Sequence, residues 1–96
     1  LEQLRSELDI LLVVLFGSYA KGNYTVASDV DLLVIYGGEE RKDAYATIKR
    51  VVEIPNLEPH VYTKKEYEEM EGAIKKMIED GHILFRRSFF RSTLEV

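Results

Sequence analysis

The chain has 96 residues, a charged fraction of 31% and a formal net charge of −4. That length suits one small domain, residues 1–96, with a core able to fold unaided, and the acidic balance argues against a protein that coats nucleic acid through Lys and Arg. There is no cysteine, so disulfides, thiol chemistry and Cys-ligated metals are excluded. No apolar run approaches the roughly 20 residues of a membrane helix, and no signal-peptide pattern is present, although a start at Leu1 rather than Met leaves N-terminal signals weakly tested. A cytoplasmic protein with no membrane contact is the expectation.

Leu1, Leu4 and Leu8 are spaced as on a short amphipathic helix. Leu11 to Phe16 is apolar without alternation, which predicts a strand covered on both faces. Gly17 ends it, Ser18 to Lys21 predicts a single helical turn with Ser18 as N-cap, and Gly22-Asn23 marks a turn. Ser28 to Tyr36 is the second strand. Alternation puts Asp29, Asp31, Leu33 and Ile35 on one face and Val30, Leu32 and Val34 on the other. Glu39 to Glu53 predicts a helix with a stripe of Ala44, Ile48, Val51 and Val52, stopped by Pro55-Asn56. Leu57 to Tyr62 is a third strand, with Glu58, His60 and Tyr62 on one face; Pro59 places it at an edge or makes it irregular.

Thr63-Lys64-Lys65-Glu66 is a capping-box pattern. The helix it opens is expected to run to about Asp80, with Tyr67, Met70, Ile74, Met77 and Ile78 inward and Gly81 as C′ residue. Lys64-Lys65 and Lys75-Lys76 are interleaved with glutamates and read as solvated helix faces. His82 to Phe85 is a short edge strand, and Arg86 to Val96 is unassigned. The fold class is α+β: a small mixed sheet with helices packed mainly on one side.

The chemistry gathers at two places. Two carboxylates at i and i+2 of a strand lie about 6–7 Å apart at Cα. With their oxygens at about 5 Å they repel by about 3 kcal/mol at an effective dielectric near 20. Mg²⁺ offsets such repulsion: it prefers oxygen and is usually held by one or two carboxylates plus substrate phosphates. Gly17-Ser18 is the complementary half, because a tight Gly-containing turn directs backbone amides at a phosphate, with Lys21 adding charge. Taken singly, Asp-x-Asp reads as a pair of exposed strand caps and Gly-Ser as an ordinary turn.

Gly17-Ser18, ten residues, then Asp29-x-Asp31, within GSYAKG and SDVDLLV, closely resembles the signature of the polymerase-β-type nucleotidyltransferases, and in particular their minimal branch. The resemblance implies a polymerase-β-like nucleotidyltransferase fold. It implies that Gly17 and Ser18 hold the β- and γ-phosphates of a nucleoside triphosphate, and that Asp29 and Asp31 bind one or two Mg²⁺ ions. The family's third carboxylate, a base and metal ligand on the next long strand, falls on Glu58 as the only acid of LEPHVY. His60 is the alternative, and Glu53 a distant third. The reaction implied is transfer of AMP from ATP to a hydroxyl.

A chain this short has little room for an acceptor pocket, so the acceptor is expected on another polypeptide or on a second copy in a homo-oligomer. The resemblance implies a HEPN-type toxin, adenylylated on a tyrosine by this chain as antitoxin. Two alternatives stand beside it: a catalytically weakened binding module that covers its partner, and transfer to a small molecule such as an aminoglycoside.

Overall fold

The computed structural model describes residues 2–22, 25 and 27–87. In chain order the elements are α1 (Glu2–Glu7), β1 (Ile10–Phe16), α2 (Ser18–Lys21), β2 (Val30–Tyr36), α3 (Ala44–Val51), β3 (Leu57–Thr63), α4 (Lys64–Glu69), α5 (Glu71–Met77) and β4 (His82–Arg86). The strands form one mixed sheet in the order β3-β2-β1-β4. β1 runs antiparallel to both β2 and β4, and β3 is parallel to β2. The Pro-containing strand β3 and the short strand β4 are therefore the edges, where a missing ladder donor and exposed Ile83 and Leu84 are tolerated.

β1 is the centre of the molecule. Every residue of it except Leu15 is buried, as an apolar run without alternation requires. Val30, Leu32, Val34 and Tyr36 of β2 join Leu4, Leu8, Ala44 and Ile48 in one core with α1 and α3. Leu33 and Ile35 join Tyr67, Ile74 and Ile78 in a second core with α4 and α5. The helices, expected mainly on one side, thus divide between the two faces. The physical reason is β1 itself, whose side chains are apolar in both directions and must be covered in both. Arg50 of α3 pairs with Glu7 at the end of α1, tying the first layer together.

Several local expectations change. The N-cap of α2 is Gly17, not Ser18. The helix expected from Glu39 begins at Ala44, because the preceding loop is held in its own turn. There the Tyr36 hydroxyl accepts from the Arg41 amide at 2.9 Å, and Arg41 pairs with Asp43 at 2.8 Å. The long helix from Lys64 is two helices broken at Met70, which is 41% exposed rather than inward; Gly72 just beyond favours neither continuation. Asp80, not Gly81, takes the left-handed conformation, with φ 66°. Gly81 is needed for close approach instead, since a Cβ there would lie 2.8 Å from the Val14 Cγ1 and the Ile78 carbonyl. Asn23 and residues 88–96 lie outside the described residues. Among the described residues no helix is long and apolar enough to cross a membrane.

The capping box forms as the sequence predicts. The Glu66 amide donates to the Thr63 hydroxyl at 3.0 Å, and the Thr63 amide donates to the Glu66 carboxylate at 2.9 Å. It fixes the turn from β3 into α4. Thr63→Ala is expected to cost about 1 kcal/mol of stability, seen as a lower urea midpoint at unchanged m value; an unmoved midpoint would mean that packing alone sets this turn.

Candidate functional site

The site grows out of the register between β1 and β2, in which Phe16 faces Asp31. Gly17, the next residue, turns the chain away from the sheet with φ 78° and ψ −155°, a conformation essentially restricted to glycine. The Lys21 amide donates back to the Gly17 carbonyl at 3.2 Å and closes the single turn of α2. Gly22 ends it in a left-handed conformation, with φ 78° and ψ 7°. The ring of His82, at the start of β4, donates from Nε2 to the Ala20 carbonyl at 3.0 Å and anchors this turn to the edge of the sheet. No spacing in the sequence indicated that role for His82.

The Gly17 turn and the Asp31 carboxylate are in contact. A Cβ on Gly17 would collide with Asp31 Oδ2 and come within 3.2 Å of its Cγ. The other carboxylate oxygen, Oδ1, accepts from His60 Nε2 at 3.2 Å. The imidazole in turn packs against Phe16, with centroids 5.0 Å apart and planes tilted by 59°. The Asp31 and His60 side chains are 25% and 30% exposed, so both are accessible to a ligand.

The remaining candidates lie around this pair. Asp29 is exposed and sits one residue ahead of β2 rather than within it. Glu58 is the register partner of Asp31 across the parallel β2–β3 ladder and alternates with buried Pro59, so it shares the face of His60. Cross-strand neighbours of this kind have Cβ atoms roughly 5 Å apart. Glu58 is exposed, and it is His60 that hydrogen-bonds to Asp31. Ser18 is half-buried at the start of α2, and Lys21 is exposed at its end. Gly17 and Lys21 line a cavity of about 510 Å³, whose other wall comes from Ala73, Lys76 and Met77 of α5 and from Glu79 and Asp80 beyond it. Glu53, the remotest candidate, follows α3 and is exposed.

Among the described residues no group of three or more His, Asp or Glu side chains is placed to hold a metal ion by itself. Mg²⁺ is usually held by one or two carboxylates together with waters and a phosphate substrate. The donor chemistry fits such an ion: an accessible Asp31 carboxylate beside the Gly17 turn, with Asp29 two residues away.

The mixed sheet thus carries a glycine turn directly over an aspartate near the start of the neighbouring strand. The family model described as "Nucleotidyltransferase domain" matches residues 1–85, and the chain belongs to that family; it is a nucleotidyltransferase. No curated protein sequence matches the chain.

Among solved structures, a protein of Sulfolobus solfataricus classed as a nucleotidyltransferase is 21% identical, with TM-score 0.60, over 96% of this chain and 78% of that one. A toxin–antitoxin structure with AMP-PNP is 16% identical, with TM-score 0.63, over 91% of this chain and 71% of that one. A mutant of the toxin–antitoxin MntA-HpeT, with two aspartates two positions apart changed to glutamate, is 14% identical, with TM-score 0.62, over 91% and 71%. At these identities the likeness is one of fold.

The two glycines of the turn separate strain from collision. Gly22→Ala places a side chain in open space at positive φ and is expected to cost about 1–2 kcal/mol. Gly17→Ala adds the collision with Asp31 to a less tolerated backbone and is expected to cost clearly more. Equal shifts in thermal unfolding for the two variants would show that Gly17 and Asp31 are not in contact.

Proposed function

We propose that the chain is a Mg²⁺-dependent nucleotidyltransferase that moves AMP from ATP onto a hydroxyl of a partner protein. The observation that carries the reading is the contact of the Gly17 turn with the Asp31 carboxylate, which would put a phosphate-binding turn beside a metal ligand. In this reading the Gly17 and Ser18 amides and the Ser18 hydroxyl take the β- and γ-phosphates, and Lys21 adds charge. Asp29 and Asp31, with Glu58 on the same face, would hold one or two Mg²⁺ ions. When bound, the metal would supply Lewis-acid neutralisation of charge on the phosphate and leaving pyrophosphate oxygens.

The acceptor oxygen attacks the α-phosphorus, the bond from that phosphorus to the bridging oxygen breaks, and pyrophosphate leaves. The hydroxyl proton passes to a base on the β3 face, Glu58 or His60. With Asp31 Oδ1 engaged by His60, Oδ2 is the oxygen turned toward Gly17. His60 therefore orients the carboxylate whatever its part in proton transfer.

The two toxin–antitoxin neighbours support an acceptor on a partner polypeptide. In this reading the partner is a HEPN-type toxin adenylylated on tyrosine in the cytoplasm. The AMP-PNP of one neighbour supports an adenine nucleotide, and the aspartate spacing in the other equals that of Asp29 and Asp31. A binding antitoxin with weakened catalysis is the second reading, favoured by an imidazole rather than a carboxylate touching Asp31.

Calorimetric titration of ATP with and without Mg²⁺ tests the proposal. Wild type is expected to bind only with the metal, and an Asp29→Asn/Asp31→Asn protein to lose at least tenfold in affinity; equal binding by both proteins would remove the aspartates from the site. If transfer to the partner is then measured, loss of the base should lower kcat by about 10²-fold or more. Glu58→Gln and His60→Asn decide which residue it is. Undiminished transfer in both would exclude a β3 base.

A further inference from the structure

The geometry points to Lys76 of α5 as a second phosphate-binding lysine, opposite Lys21, that holds the polyphosphate of the nucleotide; this rests on the nucleotidyltransferase reading above. Lys76 lines the same cavity as Gly17 and Lys21, about 510 Å³ in volume, within the usual range for small-molecule sites. The cavity's two walls come from elements far apart in sequence, the turn after β1 and the end of α5, so no local pattern announces it. Neither Lys21 nor Lys76 forms a salt bridge with a described residue. Two lysines thus border one space that begins at the proposed phosphate turn.

Charge makes the second lysine necessary. Glu79 and Asp80 line the cavity too, and with Lys21 alone the lining would be net negative and would repel a polyphosphate. Lys76 brings it to balance, and Gly17 amides then tip it toward an anion. A structural role for the charge is available: Lys75 and Lys76 both stand in the last turn of α5, where a cation suits the helix dipole. Only Lys76 of the two lines the cavity. Lys75 is therefore an internal control with the same charge on the same helix turn.

The test is calorimetric titration of ATP and of AMP, both with Mg²⁺, into wild type, Lys76→Met, Lys76→Arg and Lys75→Met. Lys76→Met is expected to bind ATP about tenfold more weakly, as loss of a charge-assisted hydrogen bond implies, and AMP within about twofold of wild type. Lys76→Arg and Lys75→Met are expected to bind ATP within about threefold. Unchanged ATP affinity in Lys76→Met overturns the inference and leaves the proposed function standing. An equal loss for ATP and AMP overturns it by placing the contact on the nucleoside. An equal loss in Lys75→Met overturns it by making the effect one of overall charge. Absence of ATP binding by wild type overturns both the inference and the reading on which it rests.

Discussion

Gly17 lies against the carboxylate of Asp31 with no space for a single additional carbon, and the rest of the structure can be understood as what holds that contact. Its position follows from the antiparallel pairing in which Phe16 faces Asp31. A register slip of one residue would send Asp31 into the core and an apolar neighbour out to the turn, because side chains alternate across a strand. The slip is opposed by both layers of the protein. Val30, Leu32 and Val34 are locked into the core with α1 and α3, and Leu33 and Ile35 into the core with α4 and α5. The precision of the polar site is thus inherited from apolar packing a few residues away.

The two faces of the sheet do different work. The face under α1 and α3 is filled along β2 from Val30 to Tyr36. The other face is filled only from Leu33 onward, which leaves Asp31, Glu58 and His60 uncovered at its end. α5 belongs to both regimes: Ile74, with Ile78 just beyond the helix, seals the core, Met77 borders both core and cavity, and Ala73 and Lys76 line the cavity beside Gly17. A short helix broken from α4 at Met70 can serve this way because its direction is not imposed by the capping box that orients α4.

The strands and the Gly-Ser and Asp-x-Asp elements were legible in the sequence because they depend on local rules. An apolar run without alternation has to be covered twice, a Pro-containing strand has to sit at an edge, and a Thr-x-x-Glu pattern caps the helix it precedes. What was not legible depends on distance in sequence. In LEPHVY, Glu58 and His60 share a face two residues apart, and a period of two does not say which side chain reaches Asp31. That is set by the stagger of β3 on β2, which gives Glu58 the register position and His60 the contact. Lys75 and Lys76 are adjacent and read alike in the sequence, as a solvated pair, yet only Lys76 lines the cavity. The glycine at 81 carried a helix-stop signal, but it answers to close packing against β1.

The most direct test is to place a metal and read where it goes. Mn²⁺ can replace Mg²⁺ in ¹⁵N-labelled protein saturated with AMP-PNP, and paramagnetic broadening of the backbone amides then maps the ion. Broadening centred on Gly17, Asp31 and His60, fading toward Tyr36 at the far end of β2, is the expected result. Broadening centred on the exposed acids of α4, Glu68 and Glu69, with the Gly17 and Asp31 amides left sharp, would contradict the convergence of phosphate turn and metal ligand on which the functional reading depends.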